Sequence, residues 1–215
     1  MKNLPAKIIS VIFHPLLLPT YAVILMFIFP TFLSNYQFEY QKIVLIIIFI
    51  FTCMIPISLI MLMLFLKTVG SINLKDRRER TYPYVLVCII YIGAYYFSVK
   101  FPPGIPVAVN NFILTATIII FFIMLINFKI KVSAHMAGIG GFLSFFYVFI
   151  MNENINDSLF TIMNFNLQGI HFFGLIILVA AVIATARLSL NAHNMKQILL
   201  GFFVGFAVGL INIFF

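Results

Sequence analysis

Long apolar runs restrict what this chain can fold into more than any other feature of its sequence. A membrane-spanning helix needs about 20 mostly apolar residues, and seven stretches approach or reach that length: 10–32, 43–66, 83–99, 107–127, 136–151, 169–186 and 197–215. Because lipid cannot hydrogen-bond the backbone, each stretch is predicted to be helical. Runs such as IVLIIIFIF at 43–51 lack the alternating polarity of a transmembrane barrel strand. We therefore predict an all-α, polytopic transmembrane helical bundle of about six to seven spans.

The composition excludes a water-soluble domain. Hydrophobic residues make up 64% of the 215 positions and charged residues only 8%, whereas soluble domains average about 45–50% and about 25%. The same numbers exclude a disordered chain, a coiled coil and an extracellular disulfide scaffold. Cys53 and Cys88 lie inside apolar runs, so we interpret them as packing residues. The whole chain, residues 1–215, is predicted to form one integral-membrane domain.

Positive charge is concentrated on one side of the predicted bundle. If all seven stretches span the membrane, one face carries eleven of the 13 lysines and arginines: Lys2, Lys7, Lys67, Lys75, Arg77, Arg78, Arg80, Lys129, Lys131, Arg187 and Lys196. The positive-inside rule places that face in the cytoplasm. The net charge of +8 favours contact with the anionic headgroups of membrane lipids or with phosphates. A nucleic-acid partner is not expected, because no soluble basic domain is present to bind one.

Three polar groups adjoin the predicted spans on this basic face. They are residues 75–83 before the third span, 131–135 before the fifth and 187–197 before the last. Two spans separate each group from the next, so all three can meet at one membrane surface. Arginine binds phosphate oxygens in a bidentate fork, and histidine can attack phosphorus or transfer a proton near neutral pH. Taken singly, a basic run more often binds headgroups and sets topology, and a lone histidine is more often structural.

Small residues recur at helical spacing in the last stretch. Gly201, Gly205 and Gly209 form a GxxxGxxxG stripe, a pattern that lets two membrane helices approach closely. We therefore predict a packing role for this stripe.

The third polar group resembles a known motif. Arg187, five residues, His193, three residues and Gln197 resemble the S-R-x5-H-x3-D motif of the type-2 phosphatidic acid phosphatase and vanadium haloperoxidase superfamily. Residues 133–135 are similar to its P-S-G-H motif and residues 75–83 to its K-x6-R-P motif. The three occur in the family's order, and the resemblance covers about residues 67–210.

The resemblance implies a lipid phosphate or pyrophosphate substrate and a role for each matching residue. His193 would attack phosphorus to form a phosphohistidine, and His135 would protonate the leaving group. The remaining implied roles are neutralisation of the phosphate by Arg187, Arg80 and Lys75, and hydrogen bonding to it by Ser133. The resemblance implies neither a metal nor another cofactor, and a bacterial cytoplasmic membrane is the expected location. The oligomeric state stays open.

Gln197 stands where the family has an aspartate that orients the nucleophilic histidine. Residues four apart share a helix face, so the Gln197 amide oxygen can accept a hydrogen bond from Nδ1–H of His193, but it supplies no negative charge. This difference keeps a second hypothesis open: a catalytically degenerate family member that binds anionic lipid headgroups or serves as a membrane assembly partner. A transporter is disfavoured, because the midplane lacks paired charges and matched broken helices.

Two further expectations concern the side of the membrane and the remaining histidines. Membrane members of the family place the site on the outer or periplasmic face, whereas the charge count places it in the cytoplasm, and both remain possible at this point. His14 precedes Pro15 at the entrance of the first span on the same face, so it can approach the site, but a His-Pro pair at this place is more simply interpreted as a helix-start feature. His171 lies at the other surface and is expected to be structural.

Overall fold

The computed structural model describes residues 3–68, 77–102, 104–162 and 165–211. The described residues form nine α-helices: α1 (Leu4–Ile12), α2 (Leu18–Ile28), α3 (Phe38–Phe49), α4 (Ile55–Phe65), α5 (Arg77–Lys100), α6 (Val107–Asn127), α7 (Ala134–Asn152), α8 (Gly169–Ser189) and α9 (Met195–Leu210). A 3-10 turn at Phe32–Asn35 precedes α3, and a π-helical segment at Ile50–Met54 joins α3 to α4. Strands β1 (Phe160–Ile162) and β2 (Phe165–Leu167) pair as a small antiparallel hairpin between α7 and α8.

Five helical segments are long and apolar enough to cross a membrane. They are Phe38–Phe65, Glu79–Lys100, Val107–Asn127, Ala134–Asn152 and Gly169–Ser189. Helices α2 and α9 are apolar but shorter, with 11 and 16 residues. The protein is therefore an integral-membrane helical bundle, and the predicted all-α class is confirmed. The hairpin, with three residues in each strand, was not predicted.

The first apolar stretch, predicted as one span over 10–32, is not one helix, and that prediction is wrong. Helix α1 ends at Ile12 and α2 begins at Leu18. Pro15 lacks the N–H that would continue the α1 ladder, and its ring disfavours helical geometry at His14. The chain therefore turns at residues 13–17. Five of the other predicted stretches each coincide with a helix or, for 43–66, with the continuous segment from α3 to α4. The last, 197–215, coincides with α9 as far as Leu210, and its residues 212–215 lie outside the described residues.

Helix α1 packs against α8 at the basic face. Ala6 and Ser10 are buried, whereas Leu4, Ile8 and Val11 are exposed. The Asn3 side-chain amide donates a hydrogen bond to the Ser189 carbonyl over 3.1 Å, which fixes the start of α1 beside the end of α8. This docking turns Ser10 toward Arg187, with consequences for the site described below.

Helix α7 is the most buried of the five long helices, and α9 packs directly on its backbone. A Cβ added to Gly205 would lie 1.9 Å from the Ala137 carbonyl oxygen, and one added to Gly201 would lie 2.6 Å from the Ser133 carbonyl oxygen. These distances are too short for any side chain, so the glycines let the two backbones touch. The predicted packing role of the stripe is confirmed, and this contact brings the first turns of α7 and α9 together.

Substitution of Gly205 by alanine is expected to destabilise the bundle strongly. The new methyl group has no space beside the backbone of Ala137, so α9 must move away from α7. Overpacking typically costs about 1–3 kcal/mol, and the thermal denaturation temperature of the detergent-solubilised protein should fall accordingly. Gly174→Ala is the matched control, because nothing lies within 4 Å of its added Cβ. Equal denaturation temperatures for the two variants would contradict the close contact.

Helix α2 runs alongside α7 toward the opposite end of the bundle. Leu18 at its start lies beside Gly138. Phe29, just after its end, packs against Phe146 of α7 and Phe172 of α8, with ring centroids 5.7 and 5.3 Å away. The aromatic cluster thus fills the bundle at the end opposite the turn at residues 13–17.

Candidate functional site

One cavity of about 200 Å³ brings together residues from all three polar groups of the sequence. Arg80, His135, Arg187 and His193 line it, together with His14 from the turn between α1 and α2. The rest of the wall is mainly apolar: Pro15, Leu16, Leu18, Pro19, Ile60, Pro83, Val87, Phe112, Ala116, Ile119, Ile120, Ile123, Ala134, Gly138, Gly141 and Phe142, joined by Tyr84, Tyr91 and Thr115. No acidic residue is among the described residues that line it. The cavity therefore has a cationic, imidazole-rich part and a long apolar part.

The ends of four helices hold these side chains in place. Arg80 belongs to the first turn of α5, His135 to the first turn of α7 and Arg187 to the last turn of α8. His193 directly precedes the cap of α9, where the Asn194 side-chain oxygen accepts from the Gln197 N–H over 3.0 Å. The Ser133 N–H donates to the Gln197 carbonyl over 3.3 Å and so ties the α7 and α9 termini to each other.

The hydrogen bonds of His193 define the state of its ring. Its Nε2 lies 3.3 Å from Nη1 of Arg80, and because a guanidinium only donates, Nε2 is the acceptor. The proton of the neutral ring is therefore on Nδ1, which donates to Oε1 of Gln197 over 3.0 Å. Burial, and then the positive charge of Arg80, lower the pKa of His193 to about 3. His193 is thus neutral near pH 7, with the Nε2 lone pair turned toward a cation.

His135 is held by the N-terminal helix. Its Nε2 lies 3.0 Å from the Ser10 carbonyl oxygen, which can only accept, so Nε2 carries a proton and Nδ1 is left for a bound molecule. The side chain is only 9% exposed. The imidazole rings of His14 and His135 are in edge-to-face contact, and their centroids are 5.4 Å apart.

Two arginines bring their guanidinium groups to the cavity. Nη1 of Arg187 donates to the Ser10 hydroxyl over 3.2 Å, while its Nε is buried and has no hydrogen-bond partner among the residues that the structure describes. Arg80 is 6% exposed; Nη1 also contacts the Val132 carbonyl at 3.4 Å, and a side-chain hydrogen bond joins it to Tyr84. The buried guanidinium group of Arg80 and the half-buried one of Arg187 create a positive potential at one cavity, which favours an anion.

The structure places the other predicted residues differently. Gln197 supports His193 from outside the cavity lining, as the spacing of the two residues predicted. Ser133 is fully buried and its hydroxyl caps α7 by accepting from the Met136 N–H over 3.4 Å, so its position gives no support to the predicted phosphate contact. Lys75 lies outside the described residues.

His14 lines the cavity, which its predicted position on the same face as the other groups allowed. The preferred interpretation of the His-Pro pair was the start of a helix, whereas the chain turns there. An imidazole within an otherwise apolar stretch, where an ionisable group is costly, was the signal that favoured a place in the site. His171 lies at the opposite end, where its Nδ1 accepts from the Gln168 N–H at the cap of α8.

Comparison with protein families, with curated proteins and with solved structures finds no match to this chain. Fold and site together define an integral-membrane helical bundle with a cavity that is basic at one part and apolar along the rest.

Proposed function

We propose that this protein is an integral-membrane phosphatase of the type-2 phosphatidic acid phosphatase kind, acting in a bacterial cytoplasmic membrane. It hydrolyses a lipid phosphate or pyrophosphate. The observation that carries the proposal is the single cavity in which Arg80, Arg187, His135 and His193 meet beside an apolar wall. An anionic headgroup fits the cationic part, and an acyl or prenyl tail fits the remainder.

The apolar wall of the cavity supports a lipid substrate over a small soluble phosphate ester. Val87, Phe112, Ile119 and Ile123 come from α5 and α6, and they continue the cavity away from the arginines. Burying a tail there contributes about 0.8 kcal/mol for each methylene group. A short water-soluble ester would leave this surface without a contact.

The state of the His193 ring suits it to nucleophilic attack. When a phosphoryl oxygen accepts the Arg80 N–H in place of Nε2, the Nε2 lone pair is released. Nε2 then attacks phosphorus, so that an N–P bond forms while the P–O bond to the lipid breaks. The leaving oxygen takes a proton from Nδ1 of His135, whose imidazolium form a bound phosphate dianion favours. Arg80 and Arg187 donate to the phosphoryl oxygens, where positioning and charge stabilisation supply most of the acceleration. Water activated by His135 then cleaves the N–P bond, and the proton returns to His135.

The experiment is an assay of phosphate release by the purified full chain in detergent micelles. Phosphatidic acid and a polyprenyl diphosphate are the substrates, and heat-denatured protein is the blank. We expect release from at least one of the two substrates. Release from neither would contradict the proposed phosphatase.

A second function, binding of anionic lipid headgroups without turnover, is supported by one contact. The partner of His193 Nδ1 is the neutral amide oxygen of Gln197, which orients the ring but does not stabilise the charge that develops on it during attack. In a serine protease, replacing the corresponding aspartate by asparagine lowers kcat by about 10⁴-fold. A protein with the same cavity and a neutral orienting group retains headgroup binding with little or no chemistry.

Gln197→Glu distinguishes the two functions. The glutamate has the same length as glutamine, so a carboxylate takes the place of Oε1 beside Nδ1. For a phosphatase we expect Gln197→Glu to raise kcat by about tenfold or more, and we expect Gln197→Leu to lower kcat.

The carboxylate of Gln197→Glu also raises the pKa of His193 above about 3, so the acidic limb of the pH–rate profile moves to higher pH. Binding to vesicles that contain phosphatidic acid, with no turnover in either the wild type or the glutamate variant, would establish the binding function instead.

A further inference from the structure

His14 is the one histidine of the cavity that the proposed chemistry does not use. It lies in the turn between α1 and α2, where Pro15 interrupts the helix, and it lines the same cavity as His135, Arg187 and His193. Its ring contacts the ring of His135 edge to face. A side chain that only started a helix would have no reason to lie at this place.

The hydrogen bonding of His14 defines which of its ring nitrogens carries the proton. Nδ1 accepts from the Leu16 N–H over 3.3 Å, so the proton of the neutral ring is on Nε2. Within the described residues, Nε2 has no hydrogen-bond partner. The turn therefore accounts for one nitrogen of the ring and leaves an N–H donor at the cavity.

The charge state of His14 suits a crowded cationic site. Burial, and then the positive charge of Arg187, lower the pKa of His14 to about 4, so the ring is neutral near pH 7. A neutral imidazole donates a hydrogen bond to a phosphate oxygen without adding a third positive charge beside Arg80 and Arg187. Its free nitrogen also differs from that of His135: Nε2 of His14 carries a proton and can donate, whereas Nδ1 of His135 is unprotonated in the neutral ring.

We infer that His14 is a phosphate-binding residue, whose Nε2–H donates a hydrogen bond to an oxygen of the phosphoryl group held by Arg80 and Arg187. This inference rests on the proposed function only for the presence of a phosphate in the cavity, and not for its hydrolysis. It assigns to the N-terminal segment a direct contact with the ligand, in addition to the support that Ser10 gives to His135 and Arg187.

Two substitutions of His14 separate the donor from the turn. In His14→Asn, the side-chain oxygen can still accept from the Leu16 N–H, but no group replaces Nε2. In His14→Gln, the side-chain amide reaches the Nε2 position and retains a donor there. Inorganic phosphate is the probe, and its Kd is measured by calorimetry on the full chain in detergent. Hydrogen bonds to charged groups are strong, so we expect the asparagine variant to bind phosphate about tenfold more weakly and the glutamine variant to recover most of the loss.

A stability measurement and a distant histidine serve as controls. Both His14 variants should keep the denaturation temperature of the wild type, and His171→Asn, at the opposite end of the bundle, should leave the Kd unchanged. Wild-type affinity in His14→Asn, or equal loss in the asparagine and glutamine variants, would overturn the assignment of the donor. If the wild type binds phosphate and the two His14 variants behave as expected, but no lipid is hydrolysed, the phosphatase is refuted and the role of His14 is supported. Absence of phosphate binding by the wild type would overturn both.

Discussion

Replacing His193 with asparagine is expected to reduce phosphate release from a lipid phosphate to the background rate. Asparagine retains an N–H near the position of Nδ1, so the hydrogen bond to Gln197 can persist, but it has no atom at the position of Nε2 that could attack phosphorus. Removing the nucleophile of a serine protease lowers kcat by about 10⁶-fold, and a loss of about 10⁴-fold or more is expected here. The measurement is single-turnover release of phosphate from saturating substrate in mixed micelles.

Two further results determine how that loss is interpreted. The Kd for inorganic phosphate should change little, because the phosphate-binding donors belong to Arg80, Arg187 and His14. A phosphorylated histidine should be trapped by rapid quenching in the wild type and be absent from His193→Asn. Similar turnover in both proteins would remove His193 from the mechanism.

Arg80→Met is expected to lower kcat/KM by about 10²–10³-fold, the usual effect of removing one donor that stabilises developing negative charge. Arg80 contacts Nε2 of His193, the Val132 carbonyl and Tyr84, so methionine retains much of the volume and none of these bonds. Both ground-state binding of phosphate and stabilisation of the transition state should weaken. Lys42→Met is the control, because Lys42 pairs with Glu39 outside the cavity.

The same substitution changes the pH dependence. The neutral ring of His193 is the attacking form in the proposed reaction, so we expect activity to fall as the pH drops below the pKa of that ring. Burial and the charge of Arg80 together hold this pKa near 3. Without Arg80 the pKa rises, although continued burial keeps it below its ordinary value of about 6.5. The acidic limb of kcat/KM should therefore begin at higher pH in Arg80→Met, and an unchanged limb would contradict the contact between Arg80 and His193.

Much of the fold follows from the sequence because lipid leaves the backbone few alternatives. Long apolar stretches must become helices, and the stripe of Gly201, Gly205 and Gly209 identifies a face that can touch another backbone. The break at His14 and Pro15 was missed, because hydropathy averaged over a window the length of a span does not register a turn of a few residues. The hairpin between α7 and α8 was missed for a related reason, since its three-residue strands carry too short a pattern to detect.

Two properties of the sequence predict part of the candidate site: the order of the helices and the spacing of residues along one helix. An even number of spans between groups brings Arg80, His135 and Arg187 to one face, and a spacing of four places Gln197 beside His193. Contacts that depend on how separate helices dock were not predictable. Ser10 is the clearest case, because its hydroxyl and its carbonyl reach Arg187 and His135 only once α1 lies against α8.

The cavity draws on both extremes of the described chain, since His14 comes from the turn after α1 and His193 from the turn before α9. A ribosome releases α1 before α9, so the cavity gains His193 only after the helices that carry Arg80, His135 and Arg187 have been made. His193 is the nucleophile of the proposed reaction, so we expect nascent chains that still lack α9 to be inert toward the lipids that surround them.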